Sequence, residues 1–261
     1  MENDNIQLLL MLLPKLPLIL RVAILHILRL SEPARYLDLQ SAIIVSVLRS
    51  FLAPDRPVSI SKTQRLTLKD PGIKGRIWVS KYTAPPPPET AVRDALVSAI
   101  DRLSDAAGSR APTRRPDILP VEAEWTGYRA EAKTNSTLPD ITEKEKYDEL
   151  MKECSSATTI LYLHGGAYYL LDPSSHRPTT KKLAKLTQSR CYSVRYRLAP
   201  QNPFPSALLD ALVSYLTLLY PPPNSFHEPV RPEHIVFAGD RYVATWPLSL
   251  FLRRCLICPD L

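Results

Sequence analysis

Glycine is scarce in this chain. It has 7 glycines in 261 residues beside 26 prolines, whereas an ordinary globular protein carries roughly 7% glycine and 5% proline. Two glycines in succession therefore mark a place where the backbone must turn sharply or approach something closely. Cysteine is thin as well: Cys154, Cys191, Cys255 and Cys258 make up all four. That is no disulfide framework for a chain of this size, and it is compatible with a reducing compartment. Cys255 and Cys258 have redox spacing. A single CxxC with no thioredoxin-like unit after it is a weak signal, though, and supplies only half of a four-cysteine zinc site. No uncharged apolar run is long enough to span a bilayer, because Lys15, Arg21 and Arg29 interrupt the stretch from Ile6 to Leu30. The start, Met-Glu-Asn-Asp, lacks the positive region of a secretory signal, which points to the cytoplasm. Net charge is +7, but the basic residues are scattered and not interleaved with aromatics. That pattern is a solvated surface rather than a nucleic-acid interface. No internal repeat is visible.

Hydrophobic residues make up 45% of the chain and charged residues 23%, enough for one domain with a substantial core. Leu18 to Leu30 has helical patterning, with Arg21 and Arg29 on one side. It reads either as part of a cap over a binding cleft or as a segment lying on a membrane surface. A second helix is expected over Leu37 to Leu52. Two strands are expected over Val58 to Leu68 and Ile73 to Tyr82, joined by the turn Asp70-Pro71-Gly72. Thr90 to Ala107 is amphipathic. In Val121 to Ala130 the residues Val121, Ala123 and Trp125 alternate with Glu122, Glu124 and Thr126, as in a strand with one polar face. From Ala157 onward the rhythm becomes strand, helix, strand. The strands are Ile160–Leu163, Cys191–Tyr196 and His234–Ala238, and the helices Ser174–Gln188 and Pro205–Leu219, which implies a parallel sheet with crossover helices.

The densest information lies where the first of those strands stops. Ile160-Leu161-Tyr162-Leu163 runs into His164-Gly165-Gly166-Ala167, and paired glycines at a strand end let N–H groups face outward. His164-Gly165-Gly166-Ala167 resembles the HGGG-type oxyanion motif of the hormone-sensitive-lipase-like branch of the α/β-hydrolases. Arg195-Tyr196-Arg197-Leu198-Ala199-Pro200-Gln201 is similar to that family's Tyr-Arg-Leu-Ala-Pro-Glu stretch, with Gln201 in place of the acid. Ile235-Val236-Phe237-Ala238-Gly239-Asp240 matches the strand leading into its Gly-Asp-Ser-Ala-Gly nucleophile elbow. The resemblance implies a partial α/β-hydrolase fold: a mixed sheet with parallel strands and crossover helices. Residues 1–57 would be a helical cap or membrane-surface segment, 58–240 an incomplete hydrolase domain lacking the later strands, and 241–261 an unrelated tail. It also implies carboxylic-ester hydrolysis, a small-molecule ester as substrate, and no cofactor or metal. Gly165 and Gly166 would be the oxyanion donors, with His164, Ala167, Gly239 and Asp240 supporting them.

The serine that the motif demands is absent, because Arg241 stands there. A guanidinium stays protonated and has no lone pair with which to attack a carbonyl. No histidine follows it, and Asp260 is the only acid that does, so the acid-then-histidine order of the family has no candidates. His176, His227 and His234 precede the elbow and read as surface or loop residues. Ser174, Ser175 and Ser249 sit at no strand-to-helix elbow. Three readings compete: an esterase by family, a pseudo-hydrolase that binds without turnover, and an incomplete chain with no activity of its own. The apolar tail residues, with no clear period, suggest a poorly packed C-terminus.

Coding arithmetic sharpens the third reading. Arg241-Tyr242-Val243 can be written AGG TAC GTN or AGG TAT GTN, in which AG precedes a splice-donor-like GTACGT or GTATGT. Splicing there would leave AG to begin a serine codon. We expect the mature messenger to continue from Gly239-Asp240 into Ser-Ala-Gly, so that residues 241–261 are translated intron. Transcript sequencing decides it, and a mature messenger containing the Arg-Tyr-Val codons removes the idea.

Overall fold

The computed structural model describes residues 13–52, 59–106, 108 and 113–240. These fall into two compact units, Met1–Lys62 and Thr63–Leu261. In the first, a 3-10 turn (Leu13–Lys15) leads into helix α1 (Leu16–Ile27), and a second 3-10 turn (Glu32–Arg35) leads into α2 (Leu39–Leu52). Pro17 lies in the first turn of α1, where its missing N–H goes unneeded, so it begins the helix instead of breaking it. The two helices pack together. Leu16, Leu20, Ile24 and Ile27, on one helical face, are exposed. No described helix is long and apolar enough to cross a membrane.

The second unit is built on a five-stranded mixed sheet. Its strands are β1 (Ile77–Ala84), β2 (Val121–Tyr128), β3 (Thr159–Leu163), β4 (Arg190–Arg195) and β5 (Ile235–Gly239), in the order β1-β2-β4-β3-β5. The pairs β1–β2 and β2–β4 are antiparallel, whereas β4–β3 and β3–β5 are parallel. The α/β class and the three parallel strands are as the sequence implies. Helices α4 (Ala91–Ala106), α5 (Glu143–Lys152), α6 (Pro173–Thr187) and α7 (Ser206–Leu219) provide the crossovers and cover the faces.

One face carries the main core. Trp125 is fully buried there against the rings of Tyr147, Tyr192 and His227, at centroid distances of 5.1, 4.6 and 5.1 Å. Leu161, Leu163 and Val194 on the strands and Leu96, Leu150 and Leu209 on the helices complete it. The other face carries a smaller cluster of Ile160, Ala184 and Cys191 beneath α6.

Two expectations fail here. Val58 to Leu68 is not a strand: from Ile60 to Thr67 it forms helix α3. Its β-branched residues made a strand plausible, but tertiary contacts override propensity. The amide of Gln64 is buried and reaches carbonyls of two loops, which a helical backbone permits. Asp70-Pro71-Gly72 consequently links a helix to β1, with the Gly72 N–H donating to Asp70 Oδ1 at 2.8 Å.

The polar face of β2 is also only partly solvated, with Glu122 exposed and the rest covered. Glu124 is 2% exposed and Thr126 is fully buried, because α6 lies across them. Arg177 of α6 answers the carboxylate. Its Nε and Nη2 donate to Glu124 at 2.8 and 2.6 Å, while Nη1 and Nη2 donate to Asp70 at 2.6 and 3.0 Å. A buried charge without its partner is strongly unfavourable. We therefore expect Arg177→Met to lower unfolding free energy by about 3–5 kcal/mol, and Arg177→Met with Glu124→Leu to recover most of that loss. Urea titrations with equal slopes measure both, and a loss below about 1 kcal/mol in the single variant would show that Glu124 is not held as an isolated buried charge.

Candidate functional site

Parallel strands bring their carboxyl ends to one edge, and in α/β sheets that edge is where ligands bind. Leu163 is level with Val194 and with Gly239 in the two registers. The residues after β3, β4 and β5 therefore converge: His164 to Leu171, Tyr196 to Pro205, and Asp240.

The loop after β3 has little freedom. Gly166 sits at φ +112°, and a Cβ there would come within 2.1 Å of the Leu170 carbonyl oxygen, so only glycine fits. A Cβ on Gly165 would meet that of Asp240 at 2.8 Å. The loop then turns on itself, with the N–H groups of Tyr169 and Leu170 donating to the Gly166 carbonyl at 3.1 and 2.9 Å. Ala167, Tyr168 and Leu171 take positive φ values of 51°, 63° and 67°, a conformation that ordinary residues keep only where surrounding contacts impose it. Those contacts are visible. The Ala199 N–H donates to the Tyr168 carbonyl at 2.9 Å. Gln64 Nε2 donates to the carbonyls of Tyr169 at 2.9 Å and Ala199 at 2.7 Å. Gln201 Nε2 donates to Gln64 Oε1 at 2.9 Å, so the residue found where the motif has an acid joins an amide pair. Among the described residues, the N–H groups of Gly165 and Gly166 donate to no acceptor.

His164 is fully buried, with its ring stacked on that of Tyr196 at 4.1 Å and 9°. The Tyr196 hydroxyl donates to the His164 carbonyl at 2.6 Å. Nδ1 lies 2.8 Å from the Gly165 carbonyl, which can only accept, so Nδ1 carries the proton and Nε2 is left as a bare lone pair. No partner meets Nε2 among the described residues. Burial lowers the imidazole pKa from 6.5 to about 4, against the opposing Gly165 hydrogen bond, so the ring is neutral.

Of the histidines read as surface or loop residues, His176 is instead buried on α6 and His227 lies in a loop but is buried, at 7% and 5% exposure. His176 lies on α6, and its Nε2 is 3.3 Å from Asp240 Oδ2. Its Nδ1 is 2.9 Å from Ser175 Oγ, but that hydroxyl donates to the Asp172 carbonyl at 2.6 Å. Ser174 Oγ likewise donates to Asp172 Oδ1 at 2.6 Å. Both serines thus belong to the cap of α6, whose N-cap is Asp172. Asp172 also meets Arg195 at 2.9 Å. Asp-Pro ahead of a helix is a recognisable start signal, whereas nothing in the sequence announces Gln64. Arg241, like Cys255, Cys258 and the tail, lies outside the described residues. Among the described residues, no three histidine, cysteine, aspartate or glutamate side chains are grouped to hold a metal ion.

Residues 160–242, which hold both the β3 loop and the end of β5, match the family model described as the α/β hydrolase fold. An esterase of Acinetobacter venetianus is 32% identical over 106 residues, which are 41% of this chain and 33% of that protein. An acetyl-hydrolase of Streptomyces hygroscopicus is 37% identical over 82 residues, 31% of this chain and 25% of that protein. A solved esterase of the bacterial hormone-sensitive lipase family superposes with a TM-score of 0.40 at 19% identity, covering 74% of this chain and 44% of that one. The chain thus spans between a quarter and a third of the length of these curated relatives.

The buried imidazole of His164 predicts acid sensitivity. Between about pH 4 and 6.5 the unfolded chain binds a proton at position 164 that the folded chain does not. Stability therefore rises with pH across that window and falls as acid is added. His227, whose pKa is lowered by burial, adds a term of the same sign. His164→Asn, which keeps a donor for the Gly165 carbonyl, should flatten the dependence by on the order of 3 kcal/mol at most. Melting curves from pH 7 to pH 4.5 test it, and parallel profiles for the two proteins would contradict a buried neutral ring. Gly166→Ala is expected to destabilise by a few kcal/mol or to block folding, because its methyl would occupy the Leu170 carbonyl.

Proposed function

We propose that the β3 loop is the oxyanion-binding half of a carboxylic-ester hydrolase site, with the backbone N–H groups of Gly165 and Gly166 as donors. The observation that carries this reading is that both N–H groups lack an acceptor among the described residues, in a loop held from several sides at the carboxyl edge of the parallel strands. Donors fixed before the reaction are worth most to a tetrahedral intermediate, since no reorganisation is needed as charge develops on the oxygen. His164 supports the loop by its bond to the Gly165 carbonyl, and neutrality keeps a buried positive charge away from its apolar stacking partner. Gly239 and Asp240 close β5 against Gly165, while Ala167 carries the turn at positive φ. The proposed substrate is a small-molecule ester, a reading supported by the similarity to proteins named as an esterase and an acetyl-hydrolase.

The chain as it stands is proposed to have no hydrolytic activity of its own. Acyl transfer needs a nucleophile activated by a base, and Arg241 stands where the motif has its serine. The alternative of a pseudo-hydrolase binding module draws on the same closed loop, which is ordered without any catalytic group in place. Residues 1–57 are read as the helical cap of that site, and the exposed apolar face of α1 is what the membrane-surface alternative would use.

The purified chain should hydrolyse p-nitrophenyl acetate and butyrate no faster than a heat-denatured control, and a fluorophosphonate should leave it unlabelled. Arg241→Ser alone should restore nothing. Stoichiometric labelling of any serine, or turnover in the variant, would overturn the inactive reading.

A further inference from the structure

The opposite end of the parallel strands carries a cavity that this chemistry does not use. Tyr128 ends β2 beyond Thr126, which is level with Cys191 near the start of β4. The cavity therefore opens at the amino ends of the parallel strands, away from the β3 loop. It encloses about 590 Å³, within the range of small-ligand sites. Lys74, Arg76, Lys181, Lys182 and Lys185 line it around Tyr128, and no carboxylate is among the lining residues. None of these five cations is paired with an acid among the described residues.

Arg76 is anchored. Its Nε donates to the Ala132 carbonyl at 2.9 Å and its Nη1 to the Tyr128 hydroxyl at 3.4 Å. Lys185 Nζ lies over the Tyr128 ring at 4.9 Å. The Arg76 hydrogen bond, with the Lys185 and Arg76 charges, lowers the Tyr128 pKa, as expected where the local field is positive. Like charges gathered in one concavity without counter-charge repel one another, and an anion entering it relieves that repulsion while meeting several donors at once. One anchored guanidinium, four ammonium groups and an aromatic wall suit a small, multiply charged tetrahedral oxyanion, which accepts from several donors at once.

We propose that this cavity is a binding site for a phosphate-bearing ligand, separate from the ester site. The shared chemistry is a phosphate dianion, free or as a lipid headgroup.

Isothermal titration of the full chain with pyrophosphate, at about 0.1 M salt, where long-range attraction between exposed charges is screened, provides the direct test. Lys181→Glu with Lys185→Glu should weaken binding about tenfold or more. Arg102→Glu with Arg114→Glu makes the same change in net charge at two exposed arginines elsewhere and should change binding less than about twofold. Far-ultraviolet circular dichroism and melting should be alike for all three proteins. In parallel, sedimentation with phosphatidylcholine vesicles containing phosphatidic acid separates the sources. Vesicle binding lost in Lys181→Glu with Lys185→Glu, without pyrophosphate binding, assigns a headgroup, whereas pyrophosphate binding without vesicle binding assigns a soluble phosphate. No binding of either probe, or equal weakening in both double variants, overturns the proposal.

Discussion

The buried carboxylate of Glu124 is the constraint from which much of the second unit follows. It sits on a central strand of the sheet at 2% exposure, and a carboxylate there is tolerable only when paired and hydrogen-bonded. Arg177 supplies two bonds from α6, which fixes the helix across β2 and leaves the guanidinium's other edge to Asp70. Arg195 approaches the same carboxylate at 3.9 Å, and contacts Asp172 at 2.9 Å and Glu122 at 3.3 Å. Asp172 in turn caps α6. A single chain of alternating charges thus ties β2, β4, the first turn of α6 and the segment before β1. Such a network adds little net stability over an apolar replacement, but it penalises any arrangement that leaves one member unpaired.

That network sets where the β3 loop must end, since Asp172 is one residue beyond Leu171. Between Leu163, fixed in the sheet, and Asp172, fixed at the helix cap, eight residues have to reverse direction. The positive φ values of Gly166, Ala167, Tyr168 and Leu171 are the geometric outcome. Three of these four are not glycine, so strain of order 1–3 kcal/mol for each is offset by surrounding bonds. Tyr196 holds the loop at its start through the His164 carbonyl, and Gln64 holds it at Tyr169. Holding carbonyls from behind leaves the N–H groups of Gly165 and Gly166 without an acceptor among the described residues, because a peptide unit presents its two polar groups in opposite directions.

Much of this was legible before any coordinates. Ile160 to Leu163 and the strands after it run apolar and short, with helices of ordinary length between them, and both signals survive tertiary context. The polar members were not legible. Glu124 and Thr126 alternate with apolar neighbours as they would on a solvated face, and periodicity cannot distinguish water from a helix bearing a complementary arginine. Gln64 looked like one residue of a β-branched stretch, yet its amide reaches loops more than 100 residues away. The burial of His176 and His227 was hidden for the same reason. Their environments are made by residues distant in sequence, and a histidine carries no local mark of burial.

Helix α6 contributes to both ends of the sheet. Its first turn, near the β3 loop, is capped by Asp172, and its later turns carry Lys181, Lys182 and Lys185. A helix macrodipole is equivalent to roughly half an elementary charge at each terminus, positive at the first residue and negative at the last. Placing the acid at the amino end and the lysines toward the carboxyl end therefore stabilises the helix at both poles. The negative pole also offsets part of the lysines' field, but only part. Half a charge set against five cations, two of them from β1's leading segment, leaves the amino-end cavity strongly positive. Helix stability therefore explains why lysines are acceptable on the last turns of α6. It does not explain Lys74 and Arg76, which face the same cavity from another element with no dipole to favour them.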